Sequence, residues 1–327
     1  LSLHRDHDKL TPKTILASLK ENAIQHEELG MYWKENRSGY YWYEAPIETQ
    51  SLLIEAFAEV THDKKTINDL KLWLLKQKQT QQWGNTKSTA EACYALLLQG
   101  TNWLNNDPQV NIQLGTNRFH SSGNDEAGTG YLKYSIASEE IKPAMGNIRV
   151  TVSPASAAPE QNTGSWGAVY WQYFEDLDKI TPSAENKMPL QLRKQLFIER
   201  NSDTGPVLQP IDSSTVLKIG DKIKVRIVLK ADRDMEYVHL KDLRAAGTEP
   251  VNVLSTFKQQ DGLGYYESTK DAATNFFFNW LPKGSNVFEY PIFVTHKGSF
   301  SAGVATIQCM YAPEFVSHSE GLNIRVQ

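Results

Sequence analysis

Apolar positions recur at helical spacing through the first third of the chain and at strand spacing through the last. Ile15, Leu19, Ala23 and Ile24 fall on one side of a predicted helix behind Thr11-Pro12, a capping hydroxyl followed by a proline suited to a first helical turn. A second stripe runs through Ile47, Leu53, Ile54, Phe57 and Val60, and a third through Ile67, Leu70, Trp73 and Leu74. A fourth predicts a helix capped by Thr86, with Ala90, Cys93, Leu96 and Leu97 turned inward and Gly100 as its stop. The second and fourth read as copies. Each follows an aromatic-rich turn (YYWYEA, QQWGN), and Thr49 aligns with Thr89 at a shift of 40 residues. A period of that size is one helical hairpin, the unit of stacked helix pairs and α/α toroids. The overlay sets Cys93 on Leu53, so the thiol is expected to fill core volume, with no His, Lys or Arg as an obvious partner to lower its pKa.

Beyond Gly100 the period changes. After the turn cluster Asn105-Asn106-Asp107-Pro108, β patterns appear at 110–114 (VNIQL), 130–137 (GYLKYSIA), 147–152 (NIRVTV) and 165–174 (SWGAVYWQYF). Polar loops, Ser121 to Gly130 and Ser153 to Gly164, separate them, and 180–189 (ITPSAENKMP) has linker composition. A second β series opens at Leu190. Ile223, Val225, Ile227 and Leu229 alternate there with Lys222, Lys224, Arg226 and Val228, a sheet with one face on a core. With EYVHLKDL, NFFFNWL, NVFEYPIFVTH and ATIQCMY, some seven strands are expected, an immunoglobulin-like sandwich. The fold class is therefore multidomain α + β: helical hairpins over 1–105, a small antiparallel β module over 106–180 and a β-sandwich over 181–327.

Composition adds limits. A length of 327 residues suits two or three domains, and 40% hydrophobic with 22% charged residues excludes wholesale disorder. Thirty-four Lys and Arg against 38 Asp and Glu give a net charge of −4, no footprint for nucleic acid or an anionic membrane. No apolar run is long enough to span a bilayer, and the sequence opens with Leu1 rather than Met and shows no signal peptide, so the chain is expected to be a piece of a longer one. Two cysteines, Cys93 and Cys309, make no disulfide framework and are expected to be reduced and packed.

Several clusters could carry chemistry. His4-Arg5-Asp6-His7-Asp8 has metal-compatible spacing but lacks defined further ligands, and reads as a solvated, frayed end. Glu175, Asp176 and Asp178, and Asp232 with Asp234, could serve a glycosidase or calcium, yet occur at strand exits where Asp builds turns. Tyr40-Tyr41-Trp42-Tyr43 with Glu44 and Glu48 could form a sugar platform; packing between hairpins is the simpler reading, since the copy retains Trp83. His62 has no facing nucleophile and is expected at the turn between two helices. No serine elbow, phosphate loop or zinc spacing occurs. No catalytic, cofactor-binding or metal residue is assigned.

Three stretches of the last domain resemble the C-terminal domain of bacterial α-2-macroglobulins. They are KIGDKIKVRIVL with YVHLKDLRAAGTEP, then KDAATNFFFNWLPKGSNVFEYPIFVTHKGSFSAG, then ATIQCMYAPEFVSHSEG with its Met310-Tyr311-Ala312-Pro313-Glu314 string. The family's proline-alanine-glycine turn is altered, Ala245 standing where the proline would be. The resemblance implies that 1–105 ends a thioester-domain toroid, 106–180 is half of a CUB-like module and 181–327 is the last macroglobulin-like domain. GMYWKENRSGYYWYEAPIETQSLLIEAF looks like the Bacteroidetes-type variant. The family traps proteases, often through a Cys-x-Glu-Gln thioester. Cys93 is followed by Tyr94-Ala95-Leu96 and Cys309 by Met310-Tyr311-Ala312, so neither supplies it, and a bait segment or thioester would lie upstream. The resemblance thus implies a non-enzymatic scaffold and shield in an endopeptidase inhibitor. Its partners would be target proteases and upstream domains of the same chain, in the periplasm or cell envelope, with membrane contact only through a lipid anchor outside this stretch. The alternatives are a carbohydrate-active enzyme with glycan-binding β modules, or an adhesion module acting through loops such as Asp261 to Tyr266.

Overall fold

The carboxylate of Asp8 accepts from the amides of Leu10 and Thr11, both at 3.0 Å, and starts the first long helix. In the computed structural model, which describes residues 1–39, 41, 43–99, 109–121, 131–153, 167–177, 179–182, 188–203, 205–212 and 214–327, a short helix α1 (Ser2–Arg5) precedes it. Helix α2 (Thr11–Glu21) buries Pro12 and Leu16, while Ile15 is exposed. Ile24 is not on this helix: β1 (Ile24–His26) pairs antiparallel with β2 (Gly30–Tyr32). That hairpin went unread because three-residue strands carry too little alternation to register. Gly30 is required there. Its φ is 75°, and a Cβ would lie 2.1 Å from the carbonyl oxygen of Asp69.

Helices α3 (Pro46–Val60) and α4 (Lys64–Thr80) follow the predicted stripes, with Ile47, Ile54, Phe57, Val60, Ile67, Leu70, Trp73 and Leu74 in one core. The amides of Thr61 and His62 both donate to the carbonyl of Phe57, and His62 takes a left-handed φ of 54° that ends α3. Asp63 then accepts from the amide and hydroxyl of Thr66 at 3.2 and 2.8 Å, capping α4. Helix α5 (Thr86–Leu98) starts 40 residues after α3, capped by Asn85 rather than Thr86: the Asn85 side chain accepts from the Ser88 amide at 2.9 Å. Gly100, its expected stop, lies outside the described residues.

The inward face of α5 differs from the predicted one. Ser88, Ala92 and Ala95 are buried, whereas Ala90, Cys93 and Leu97 are exposed and Leu96 is half-buried. Small residues at these spacings let α5 sit close on α3, and the Ser88 hydroxyl donates to Glu48 Oε1 at 2.8 Å, two positions related by the 40-residue shift. Size, not hydrophobicity, chose the face.

Strands β3 (Gln109–Leu114), β4 (Asn117–His120) and β5 (Ile148–Ser153) form an antiparallel sheet in the order β4-β3-β5. Val110, Ile112 and Leu114 oppose Val152, Val150 and Ile148, which puts the apolar residues on one face. Two other expected strands do not form among the described residues. Among the described residues, 132–137 and Ala168–Phe174 are irregular, and Val169, Tyr170, Trp171, Tyr173 and Phe174 are exposed. Alternation makes a strand only where a neighbouring ladder accepts it.

The remaining strands are β6 (Leu190–Ser202), β7 (Gly205–Pro210), β8 (Val216–Leu217), β9 (Lys222–Ala231), β10 (Met235–Leu243), β11 (Thr248–Pro250) and β12 (Thr256–Gln260). After them come β13 (Leu263–Thr269), β14 (Ala273–Leu281), β15 (Gly284–Val294), β16 (Gly298–Ser301), β17 (Ala305–Cys309), β18 (Val316–His318) and β19 (Asn323–Val326). A six-stranded sheet, β12-β13-β14-β10-β17-β18, and a five-stranded one, β11-β15-β9-β6-β7, share one core; β16-β19-β8 form a third, smaller sheet. Ile223, Val225, Ile227 and Leu229 point into that core as predicted. The short strands and the β12–β13 hairpin exceed the seven anticipated. Asp261-Gly262, both at positive φ, is the two-residue turn of that hairpin. The stretch from Asp261 to Tyr266 is therefore no free adhesive loop, since Leu263 and Tyr265 are buried in the core.

The chain divides into two units, Leu1–Lys78 with Trp83–Gly167, and Gln79–Gln82 with Ala168–Gln327.

Candidate functional site

Strand β6 reads Leu192, Lys194, Leu196, Ile198 along its buried face, so a lysine occupies an apolar phase. Lys194 Nζ donates to Asp242 Oδ1 on β10 at 2.6 Å, to the Leu243 carbonyl at 2.9 Å and to the Ala302 carbonyl at 2.8 Å. Tyr290 on β15 donates its hydroxyl to Asp242 Oδ2. Lysine and aspartate are 2% and 0% exposed, and they belong to different sheets. Burial, and then the adjacent Asp242 carboxylate, push the Tyr290 phenol well above its ordinary pKa and keep it a donor. Every ammonium hydrogen has an acceptor, the condition under which a buried charge is tolerated. Two of these residues, Asp242 and Tyr290, lie in the motifs that carried the resemblance. Lys194 was missed, and its polar intrusion into the inward alternation was the available signal.

Other motif residues shape the same domain. A Cβ on Gly247 would lie 2.4 Å from the Phe300 ring, and one on Gly303, whose φ is 71°, 2.5 Å from Leu243 Cβ. The Met310-Tyr311-Ala312-Pro313-Glu314 string forms a turn held from several sides. Met310 N donates to the Tyr237 carbonyl at 2.9 Å, Cys309 N to that of Phe315 at 3.0 Å, and Phe315 N to that of Ala312 at 2.9 Å. Tyr237 takes a left-handed φ of 55° and meets the Tyr311 ring edge-on at 5.3 Å. The Arg233 guanidinium sits over the Phe315 ring. Met310 and Tyr311 are nevertheless 57% and 79% exposed, so a braced turn presents apolar side chains to solvent.

The candidates singled out in sequence do not converge. Arg5 pairs with Glu55 and Glu59 at 2.8 and 2.6 Å, so the amino-terminal cluster is pinned to α3 rather than frayed, and Asp8 is spent on capping. Asp176 pairs with Lys179, next to Glu175, while Asp178 lies outside the described residues. Asp232 takes Arg233 in a two-point contact, whereas Asp234 accepts from the Lys283 amide at 2.6 Å. Tyr40 and Trp42 lie outside the described residues; Tyr41 and Tyr43 stack on each other in an exposed position. Glu44 accepts from the Tyr41 amide and Glu48 from Ser88, two separate tasks. Cys309 is buried in the sandwich core, where burial raises its pKa. Cys93 is exposed, contrary to expectation, for the reason of size given above. Among the described residues no three His, Cys, Asp or Glu gather as metal ligands, and no helix is long and apolar enough to cross a membrane.

Residues 190–314 match the bacterial alpha-2-macroglobulin MG10 domain. No curated protein is detectably similar to the chain. Among solved structures, Salmonella alpha-2-macroglobulin reacted with methylamine is 14% identical, with 89% of this chain and 18% of that one covered and a TM-score of 0.36. Trypsin-activated alpha-2-macroglobulin from Escherichia coli is 12% identical over 86% of this chain and 18% of that one, with a TM-score of 0.39. The native conformation of the E. coli protein is 14% identical over 96% and 18%, with a TM-score of 0.35. The chain spans about a fifth of the length of these proteins.

Proposed function

We propose, from the premise that residues 190–314 belong to the bacterial alpha-2-macroglobulin MG10 family, that the chain is the non-enzymatic C-terminal portion of an endopeptidase inhibitor, a scaffold and shield within a protease trap. In this reading 1–105 closes an α/α toroid of thioester-domain type, 106–180 is half of a CUB-like module and 181–327 is the terminal sandwich. The observation that carries it is the MG10 match over residues 190–314. Within that domain Lys194, Asp242 and Tyr290 satisfy each other in the core. The exposed Met310-Tyr311 turn supplies apolar surface for upstream domains of the same chain. Work in the periplasm or cell envelope, against proteases that reach it, goes with this role.

The test uses the longer protein that carries this chain. After incubation with trypsin, cleavage of a large protein substrate is expected to fall while cleavage of a small chromogenic peptide persists. The isolated chain is expected to change neither. Turnover of a glycan or peptide by the chain alone would overturn the reading.

A further inference from the structure

Lys194 and Asp242 occupy a setting that allows more than an ion pair. The Lys194 ammonium and the Asp242 carboxylate stand 2.6 Å apart in the interior, and a proton crossing that contact removes both charges at once. The amine so formed stands beside the carboxyl group it has just protonated. Tyr290 donates to the other oxygen, Oδ2, where negative charge collects as that carbon becomes tetrahedral. Reactants held 2.6 Å apart on strands of two facing sheets need no encounter, and both side chains are almost wholly buried.

We propose that Lys194 and Asp242 condense into an intramolecular amide joining β6 to β10. The Nζ–Cγ bond forms and the Cγ–Oδ1 bond breaks. Two of the three ammonium hydrogens leave with Oδ1 as water, and the third stays on the amide nitrogen. There the carbonyls of Leu243 and Ala302 already stand as acceptors. The opposite charges cancel, so no oxidant, reductant or co-substrate is needed. The linkage is independent of the protease-trap reading.

Intact-mass measurement of the purified full chain, followed by peptide mapping, decides the matter. The expected mass is one water below that of the unmodified chain, with a branched peptide joining the Lys194 and Asp242 segments. Asp242→Asn is expected to lose ammonia in place of water, Tyr290→Phe to leave a larger unlinked fraction, and Lys194→Met to show full mass. Wild-type protein that keeps its full mass after prolonged incubation overturns the proposal. So does a water deficit that maps elsewhere, such as a succinimide at Asp261-Gly262.

Discussion

Strand β9 and helix α5 were read from sequence by the same logic and fared differently. In β9 the pleat sends alternate side chains to opposite faces, so the apolar set Ile223, Val225, Ile227 and Leu229 could only be buried together. In α5, apolar residues surround most of the cylinder. Which arc turns inward was then decided by the neighbour, and α3 accepts the arc with the least volume, Ser88, Ala92 and Ala95. A strand's inward face is written locally. A helix with apolar residues on several sides leaves that choice to tertiary contact.

The sandwich offers the sharpest way to break this contrast. Relative to the unlinked protein, Asp242→Ala leaves the Lys194 ammonium in the core without its counter-charge and is expected to destabilise that unit by about 3–5 kcal/mol. Replacing both residues together, Lys194→Met with Asp242→Leu, should cost less, because no orphan charge remains. Urea unfolding followed by tryptophan fluorescence measures both, and equal losses would sink the argument.

A smaller effect sharpens the helical side. Ala92→Leu crowds the α3–α5 contact and should cost about 1–3 kcal/mol, whereas Cys93→Ser at the next position should stay within about 0.5 kcal/mol. In the native wild type, one cysteine should react quickly with a thiol reagent and one only on unfolding. Peptide mapping should identify the fast one as Cys93 and the slow one as Cys309. If Cys93 were the protected thiol, the small-residue face would be wrong.

Another small effect is expected at the start of α4. Burial raises the Asp63 carboxyl, but bonds from Lys20 and Thr66 outweigh it and hold the pKa at about 2, below the usual 3.8. Because the folded value is the lower one, the stabilisation is complete above pH 3.8 and is lost as pH falls towards 2. Asp63→Asn should flatten that acid limb in a circular-dichroism titration and, with a cap still present, cost less than about 1 kcal/mol near neutral pH. An unchanged acid limb would remove Asp63 from the account.

Much of this was legible. The stripes of α3 and α4 and the β9 alternation each follow from residues near one another in the chain. What escaped depended on distance. Lys194 is paired with a residue 48 positions away, so its inward phase could raise a question that only the facing sheet answers. The aromatic run 168–174 failed in the opposite sense, promising a strand where no ladder forms among the described residues.

The Lys194 contact bears on how the sandwich responds to force. Much of the contact between its two layers is interlocking hydrocarbon, which can slip by a notch at little cost because any apolar neighbour resembles the last. The Lys194 nitrogen, seated against Asp242 and two carbonyls, has no second seat one notch along. Under shear the layers would swivel about this rivet before they slid, and a pull on one sheet would reach the other undiminished.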